Sequence, residues 1–356
     1  MPASETALPL RIGARTLWTV RRRLVRLGLG LAEALAGEAP ELPPLGREAD
    51  GYLVTGLPAA AAPALAARHE GLKAFVRQRY ARSYADLGQG FEAWLAGLSA
   101  RSRSTLKRKS RKLAERSGGT LDLRCYRTAA EMEEFHRSAR VVSALTYQER
   151  LLGAGLPNGP EALAAMRALA GEDRVRAWLL FVGGRPVSYL YAPAEAKPRP
   201  APPRAEGETR RAPADGETHP DPAPPPDGDP RRRAPGDSES ETRSAPLEGE
   251  TLVYAYLGYD PDFADASPGT VLQLEAMRQL MEERRFRLFD FTEGDGQHKR
   301  LFATGSVECV DLLLVKPTPA NLLAAHALNG FDGAIGLAKR AAGAAGAAKW
   351  LRRLRR

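Results

Sequence analysis

The chain of 356 residues is 43% hydrophobic and 27% charged, enough for one substantial domain or two small ones. Its formal net charge is +9, with a sequence pI near 9.7, which points to an anionic partner: coenzyme, nucleic acid or lipid headgroup. Two cysteines, Cys125 and Cys309, and five histidines without ligand spacing argue against a disulfide framework and a zinc site, and suit a reducing cytoplasm.

From the N-terminus, residues 17–36 (LWTVRRRLVRLGLGLAEALA) resemble a signal peptide only briefly, because arginines interrupt the apolar run. An amphipathic basic helix fits better, either packed with its arginines outward or laid on an anionic membrane surface. No segment reads as a membrane-spanning helix. Gly51–Gly56 and Leu72–Arg79 read as strands around an alanine-rich helix at 58–69, and Phe91–Leu98 as a short helix. Residues 101–116 carry eight Lys/Arg and one Glu, with Leu106 and Leu113 a heptad apart. This is a helix with a mostly cationic surface: a solvated face, a phosphate clamp for a coenzyme or an anionic acceptor, or a nucleic-acid contact. No aromatic residue is interleaved, which disfavours a stacking platform for single strands. Ala129–Leu145 is a stronger amphipathic helix, with Met132, Phe135, Ala139 and Val142 on one face, and Leu163–Leu169 is another.

Arg176–Val182 and Pro186–Tyr191 read as strands joined by a tight turn at Gly183-Gly184. Residues 196–250 then break the pattern. They hold 13 of the 28 prolines, no aromatic residue, and Leu247 as the single large aliphatic, with a net charge of −3 that leaves +12 for the remainder. Such a segment cannot bury enough apolar surface to offset its ordering entropy and is expected to be disordered. An echo, EGET at Glu206–Thr209 and again at Glu248–Thr251, suggests growth of a short turn by local duplication. Thr251–Gly258 resumes as a third strand, so the flanks form an antiparallel meander.

The stretch from Ser267 to Phe302 is the most informative. Ser267 is expected as an N-cap and Pro268 at the first helical position, while Gly269 leaves the first-turn amides uncovered. Val271, Leu274, Met277, Leu280 and Met281 supply an apolar face. With Thr270, these first residues could form an anion site for a phosphate, the alternative being an ordinary capped helix packed on a sheet. Arg287–Phe291 is a buried strand that delivers Asp290 into the loop TEGDGQHK, where Glu293, Asp295, His298 and Lys299 converge. Strand-end loops beside a phosphate-competent helix are common places for chemistry. No Gly-Lys-Ser/Thr follows the glycines, so this is not a P-loop, and G-x-G-x-x-G is missing too. Val307–Val315 is a further strand. Beyond Pro319 the chain is Ala/Gly-rich and ends in AAKWLRRLRR, a basic helix or tail carrying Trp350, Leu351 and Leu354.

The run from Tyr256 to Phe302 resembles the GNAT-superfamily acyltransferases grouped as BioF2-like or cellulose-biosynthesis CelD-like proteins, which are distantly Fem-like. Tyr259, Pro261, Ser267, Pro268, Gly269, Leu272, Asp290, Phe291, Gly294 and Lys299 fall in register with the family pattern. The likeness extends more loosely over residues 91–195. The chain departs from the commoner pattern at Gly296, where a Glu is usual, and at His298, where a Tyr is usual. The resemblance implies an α/β (α+β) GNAT acyl-CoA N-acyltransferase-like fold, a mixed, mainly antiparallel sheet flanked by helices. It also implies that the strand before the phosphate-binding helix splays from its neighbour to admit a pantetheine arm.

On this reading residues 1–46 form a basic amphipathic segment and 47–195 plus 251–318 the transferase domain. Residues 196–250 are the insert and 319–356 the C-terminal helix or tail. Acetyl-CoA or another acyl-CoA is the expected co-substrate, with no metal, held by Ser267, Pro268, Gly269 and Thr270. A backbone amide of strand 252–258 could serve the oxyanion, and Glu293, Asp295 or His298 could take the amine proton. Lys299 could neutralise a phosphate or the carbonyl oxygen, and Asp290 could be a base or a structural carboxylate. Tyr254, Tyr256 and Tyr259 are candidate acids toward the leaving thiolate. The expected function is N-acyl transfer to an amine of an envelope, polysaccharide or related small acceptor, by a cytoplasmic protein in peripheral contact with an anionic membrane. The alternatives are a Fem-like transferase using aminoacyl-tRNA, the one case that calls for nucleic acid, and a non-catalytic accessory factor for polysaccharide or envelope synthesis.

Overall fold

The structure, a computed structural model, describes residues 3–12, 15–146, 149, 155–195, 249–294 and 296–344. Strands β1 (Ser4–Ile12), β2 (Arg15–Gly28), β3 (Gly51–Pro58), β11 (Gly305–Val315), β4 (Lys73–Asp86), β10 (Leu288–Glu293) and β8 (Thr251–Val253) form one seven-stranded sheet in that spatial order. A second sheet of four runs β5 (Asp122–Tyr126), β6 (Val175–Val182), β7 (Arg185–Pro193) and β9 (Tyr256–Tyr259). Only β2–β3 and β8–β10 are parallel pairs among the described ladders; the rest are antiparallel. This is the mixed, mainly antiparallel α/β architecture expected from the sequence.

The main core lies where helix α7 (Pro268–Glu283) joins the sheets. Val271, Leu272, Leu274, Met277, Leu280 and Met281 pack with Trp178, Leu190, Phe289 and Phe291, and with Leu106 and Leu113 of helix α4 (Ala100–Arg116). Each large apolar side chain buried there contributes about 1.5–3 kcal/mol. Helix α5 (Met132–Ser143) covers the other face of the smaller sheet with Met132, Phe135, Ala139 and Val142, as its periodicity predicts, aided by helix α6 (Pro160–Gly171). Helix α9 (Pro319–Ala344) closes the large sheet over Leu8, Leu10, Leu24 and Leu313 through Ala325 and Leu328.

Three expectations change. The helix expected over 17–36 is the long strand β2 followed by a short helix α1 (Leu31–Ala36). Its apolar residues fit either period, and the alternating Leu8 and Leu10 of β1 decide the outcome by pairing with Val20 and Trp18. The strand expected over Leu72–Arg79 runs on to Asp86, because β10 and β11 bond it on both sides. The alanine-rich helix shrinks to a 3-10 turn and helix α2 (Ala62–Ala67).

The segment expected to be disordered lies outside the described residues, except for Gly249 and Glu250. Its stem is clasped: Ala194 bridges Leu252, and the Glu195 amide donates to the Thr251 carbonyl at 2.7 Å. Glu250 pairs with Arg285 at 2.6 Å, and its carbonyl accepts from the Arg287 amide. With the ends already held together, shortening the connection relieves only loop-closure entropy. Joining Lys197 directly to Leu247 is therefore expected to leave the melting temperature unchanged or raise it by a few degrees, roughly. A clear drop in a thermal scan would show that the segment packs.

Candidate functional site

The run 251–259 does not continue as one strand. Thr251, Leu252 and Val253 pair in parallel with Leu288, Phe289 and Asp290, and the Tyr254 amide makes the last bond across, to the Asp290 carbonyl at 2.8 Å. From Ala255 the chain turns to β7, where Tyr256, Leu257, Gly258 and Tyr259 pair with Tyr191, Leu190, Tyr189 and Ser188. Meanwhile β10 stays with β4. The two strands thus fork beyond Tyr254 and Asp290, and the chain after β9 leads through a 3-10 turn (Pro261–Ala266) straight into α7.

The head of α7 faces this fork. A Cβ built on Gly269 would lie 3.1 Å from Leu257 Cδ2 and 3.5 Å from Tyr259 Cδ1, so the glycine lets the helix start close against β9. Ser267 occupies the N-cap position but in the left-handed region, φ 53°, and its side chain makes no cap bond. The expected hydroxyl cap is absent: such a cap goes with an extended backbone at this position, which Ser267 does not have. The Ser267 carbonyl instead accepts from Thr270 and Val271 at 3.1 and 3.2 Å. Pro268 has no N–H to satisfy, and the positive end of the helix dipole is left without an anionic cap in its first turn.

Across the fork, β10 ends in a bulge between Asp290 and Glu293. Thr292 has φ 64°, a conformation that costs a β-branched residue about 1–3 kcal/mol. It is held there by Asp290, whose Oδ1 accepts from the Thr292 amide at 2.7 Å. Asp290 itself, 1% exposed, accepts on Oδ2 from Arg82 Nη2 at 2.6 Å and Nε at 3.0 Å. The same guanidinium donates to Glu195 at 2.9 Å and to the Leu29 carbonyl at 2.9 Å, while Glu195 accepts from the Leu31 amide. One buried arginine thereby ties β4, β10, the segment after β7 and the segment before α1 together. Burial opposes the Arg82 charge, but Asp290 and Glu195 outweigh it and hold its pKa above the ordinary arginine value. Burial lifts Glu195 above the usual carboxylate range, with Arg82 opposing and Asp290 adding to the shift.

Lys299, 1% exposed on helix α8 (Gln297–Phe302), donates from Nζ to the Glu293 carbonyl, and Gly294 at φ 104° makes room for it. Glu293 is half-buried and accepts from Gln78 Nε2 at 3.3 Å. Gln78 pairs across the ladder with Asp311, which accepts from the Tyr80 hydroxyl at 3.3 Å and the Gly56 amide at 3.1 Å. Burial raises the Asp311 pKa against those two bonds, and burial with the Asp311 charge raises that of Tyr80, keeping its hydroxyl protonated. His298 lies on the backbone of α8, and Asp295 falls outside the described residues. The structure thus brings Glu293 and Lys299 to one corner, sets Asp290 beneath it, and puts Ser267, Pro268, Gly269 and Thr270 on the other arm. Arg82, Glu195, Tyr80 and Asp311 escaped the sequence reading. For Arg82 and Tyr80 the signal was the run Arg77–Asp86, polar on both faces of what proves to be a central strand; Glu195 and Asp311 lie outside it.

Two buried polar atoms have no hydrogen-bond partner among the described residues and belong to the elements that bound the fork. They are Gln273 Nε2, one turn along α7 from Gly269, and Thr292 Oγ1. An arm carrying amides and carbonyls, lying between the strands with its anionic end at the helix head, suits such a lining.

Residues 100–195 and 246–300 match the family described as acetyltransferase (GNAT) domain. No curated protein matches the chain. Similar solved structures include FemX (9% identity, 78% of this chain and 75% of that one, TM-score 0.45). They include a conserved protein of unknown function from Bacteroides thetaiotaomicron (12%, 74% and 70%, TM-score 0.44). A GCN5-related N-acetyltransferase from Kribbella flavida also matches (11%, 76% and 69%, TM-score 0.32). At these scores such likenesses specify neither substrate nor reaction. Among the described residues no group of three or more metal-ligating side chains occurs, and no helix is long and apolar enough to cross a membrane.

Proposed function

We propose that the chain is an acyl-CoA-dependent N-acyltransferase acting on an amine of an envelope, polysaccharide or related small acceptor, close to the BioF2-like and CelD-like transferases. The fork between β9 and β10 at the head of α7 carries this reading. A thioester is already activated, so the protein has to align it with the amine, take one proton and stabilise the oxyanion. In the proposed pose the coenzyme pyrophosphate rests on the first turn of α7 at Pro268, Gly269 and Thr270, and the pantetheine arm lies between the strands. Backbone amides of β9 that face away from β7 serve the oxyanion. Glu293, at the tip of the other arm, takes the amine proton, with His298 the second candidate. Lys299 holds the carbonyl of Glu293 and fixes the corner, and Asp290 holds the bulge from below. Tyr259, packed beside Gly269, is the candidate acid for the leaving thiolate.

A second reading has one observation in its favour. Lys112 and Arg116 of α4 both pair with Asp265, at 2.9 and 2.5 Å, two residues before Ser267. The cationic helix is thereby anchored to the turn that leads into α7, and its remaining exposed cations, Lys107 and Arg108 among them, could meet the phosphates of a charged tRNA.

Thermal stabilisation by acetyl-CoA and longer acyl-CoAs, measured against aminoacyl-tRNA, separates the two. Acyl-CoA is expected to stabilise the protein; stabilisation by charged tRNA alone would select the Fem-like reading, and by neither the non-catalytic one. Ser267→Asp is the matching variant, since Asp tolerates the left-handed region and sets a negative charge at the helix head. It is expected to weaken coenzyme binding about tenfold in calorimetry, with the fold intact. Unchanged affinity would remove the phosphate from that position.

A further inference from the structure

β2 bonds β3 only from Leu24 to Gly28, whereas it bonds β1 from Arg15 to Leu24. The β1–β2 pair is therefore a two-stranded ribbon that runs past the edge of the large sheet, about 30 Å at the usual rise per residue. One of its faces is anchored: Leu8, Leu10 and Val20 pack with Ala325, Leu328 and Phe331 of α9. Toward the turn the ribbon loses that cover. Trp18 is 70% exposed and Leu17 49%, so adjacent large side chains on opposite faces of the strand both stand in solvent. Leu323 on α9, 74% exposed, lies three residues beyond Ala320, whose carbonyl accepts from Arg22 Nη2 at 2.7 Å.

The charge along the ribbon is predominantly positive. Arg11, Arg15, Arg21, Arg22 and Arg23 belong to the ribbon, against Glu5 alone. Among the described residues, two ion pairs involving them are solvated. Arg21–Glu5 spans 3.7 Å with side chains 58% and 62% exposed, and Arg23–Glu48 spans 2.6 Å with 52% and 77%. Pairs of this kind leave most of the positive field in place at a charged surface.

We infer that the ribbon is a membrane-contact device: Trp18 and Leu17 enter the headgroup–acyl boundary while the flanking arginines meet anionic headgroups. Tryptophan suits that depth, with an apolar ring and one N–H that can stay wet. Apolar burial and electrostatic attraction act together here, and two signals are what stable peripheral binding takes. A second copy of the chain fits less well. Edge-to-edge addition to β1 would meet Pro9, which removes a donor from the strand, and would oppose like charges. The membrane would then hold the protein at a surface, independently of what the fork binds.

The full-length protein, pelleted with sucrose-loaded vesicles, tests this. Phosphatidylcholine vesicles containing phosphatidylglycerol are expected to retain it, and pure phosphatidylcholine to retain it at least about tenfold less. Raising NaCl from ~0.1 M to ~1 M should release most of it. Leu17→Ser/Trp18→Ser, two exposed substitutions that leave the circular dichroism and melting temperature unchanged, should reduce partitioning about tenfold or more. Retention of the double variant at the wild-type level would overturn the inference and move binding to another basic segment, such as the C-terminal tail. A concentration-dependent dimer in light scattering, lost in the double variant, would assign the ribbon to a second copy and equally overturn it.

Discussion

Replacing Arg82 by methionine is expected to lower folding stability by about 3–5 kcal/mol, the usual consequence of removing one partner from a buried ion pair. Asp290 would be left 1% exposed without its counter-charge, and Glu195 would lose the guanidinium that opposes its desolvation. The pH dependence follows from the direction of the Glu195 shift. Its folded pKa is raised, so its contribution is fully present below the ordinary glutamate range and is lost as pH rises through the folded value. Without Arg82 the folded pKa rises further, and ionisation is penalised over a wider window. Urea unfolding should therefore show a larger deficit for R82M near ~pH 8 than near ~pH 5. Arg82→Lys should fall between, because one ammonium cannot reach Asp290, Glu195 and the Leu29 carbonyl at once. A deficit below about 1 kcal/mol, the same at both pH values, would mean that the arginine is a solvated surface group rather than the tie between four segments.

This tie also explains where reading the sequence stopped. The head of α7 was legible because its signals are local: proline and glycine in the first turn, apolar residues at helical spacing, and a strand directly after. The order of strands around it was legible for the same reason. The fork was not, since residues 251–259 form one continuous run and nothing in it marks Tyr254 as the residue where pairing changes from β10 to β7. Only the resemblance led to an expectation that the strand would splay. Arg82, Glu195 and Asp290 are separated by 113 and 208 residues, and no local pattern relates them. Moreover β4 and β11 lie outside the matched family segments, yet β4 is the strand that β10 leans on. The helix misread over 17–36 has a different cause. Leu17, Val20, Leu24 and Leu27 make a helical stripe, whereas Trp18, Val20 and Leu24 share one face of a strand, and the choice was made by β1, a partner whose own pattern is short.

The corner at β10 and α8 gives the sharpest test of chemistry against structure. Glu293→Gln keeps the shape and the acceptor oxygen for Gln78, so the melting temperature should move by no more than about 1 °C, as for a half-exposed substitution. If Glu293 takes the amine proton, turnover should fall about 10²–10⁴-fold, with little change in the KM for the acyl-CoA. Thiol release from acetyl-CoA, with an amine that sustains turnover in the unmodified protein, would measure it. The acid limb of the pH–rate profile should vanish with the carboxylate. Lys299→Met should behave differently. The Glu293 carbonyl loses a donor inside a buried corner, which costs about 1–3 kcal/mol. The bulge that keeps Thr292 at φ 64° would relax, so stability and turnover would decline together. Should E293Q retain full turnover and its acid limb, the proton must leave through another group. His298, one residue before Lys299 on the same short helix, is then the next to replace.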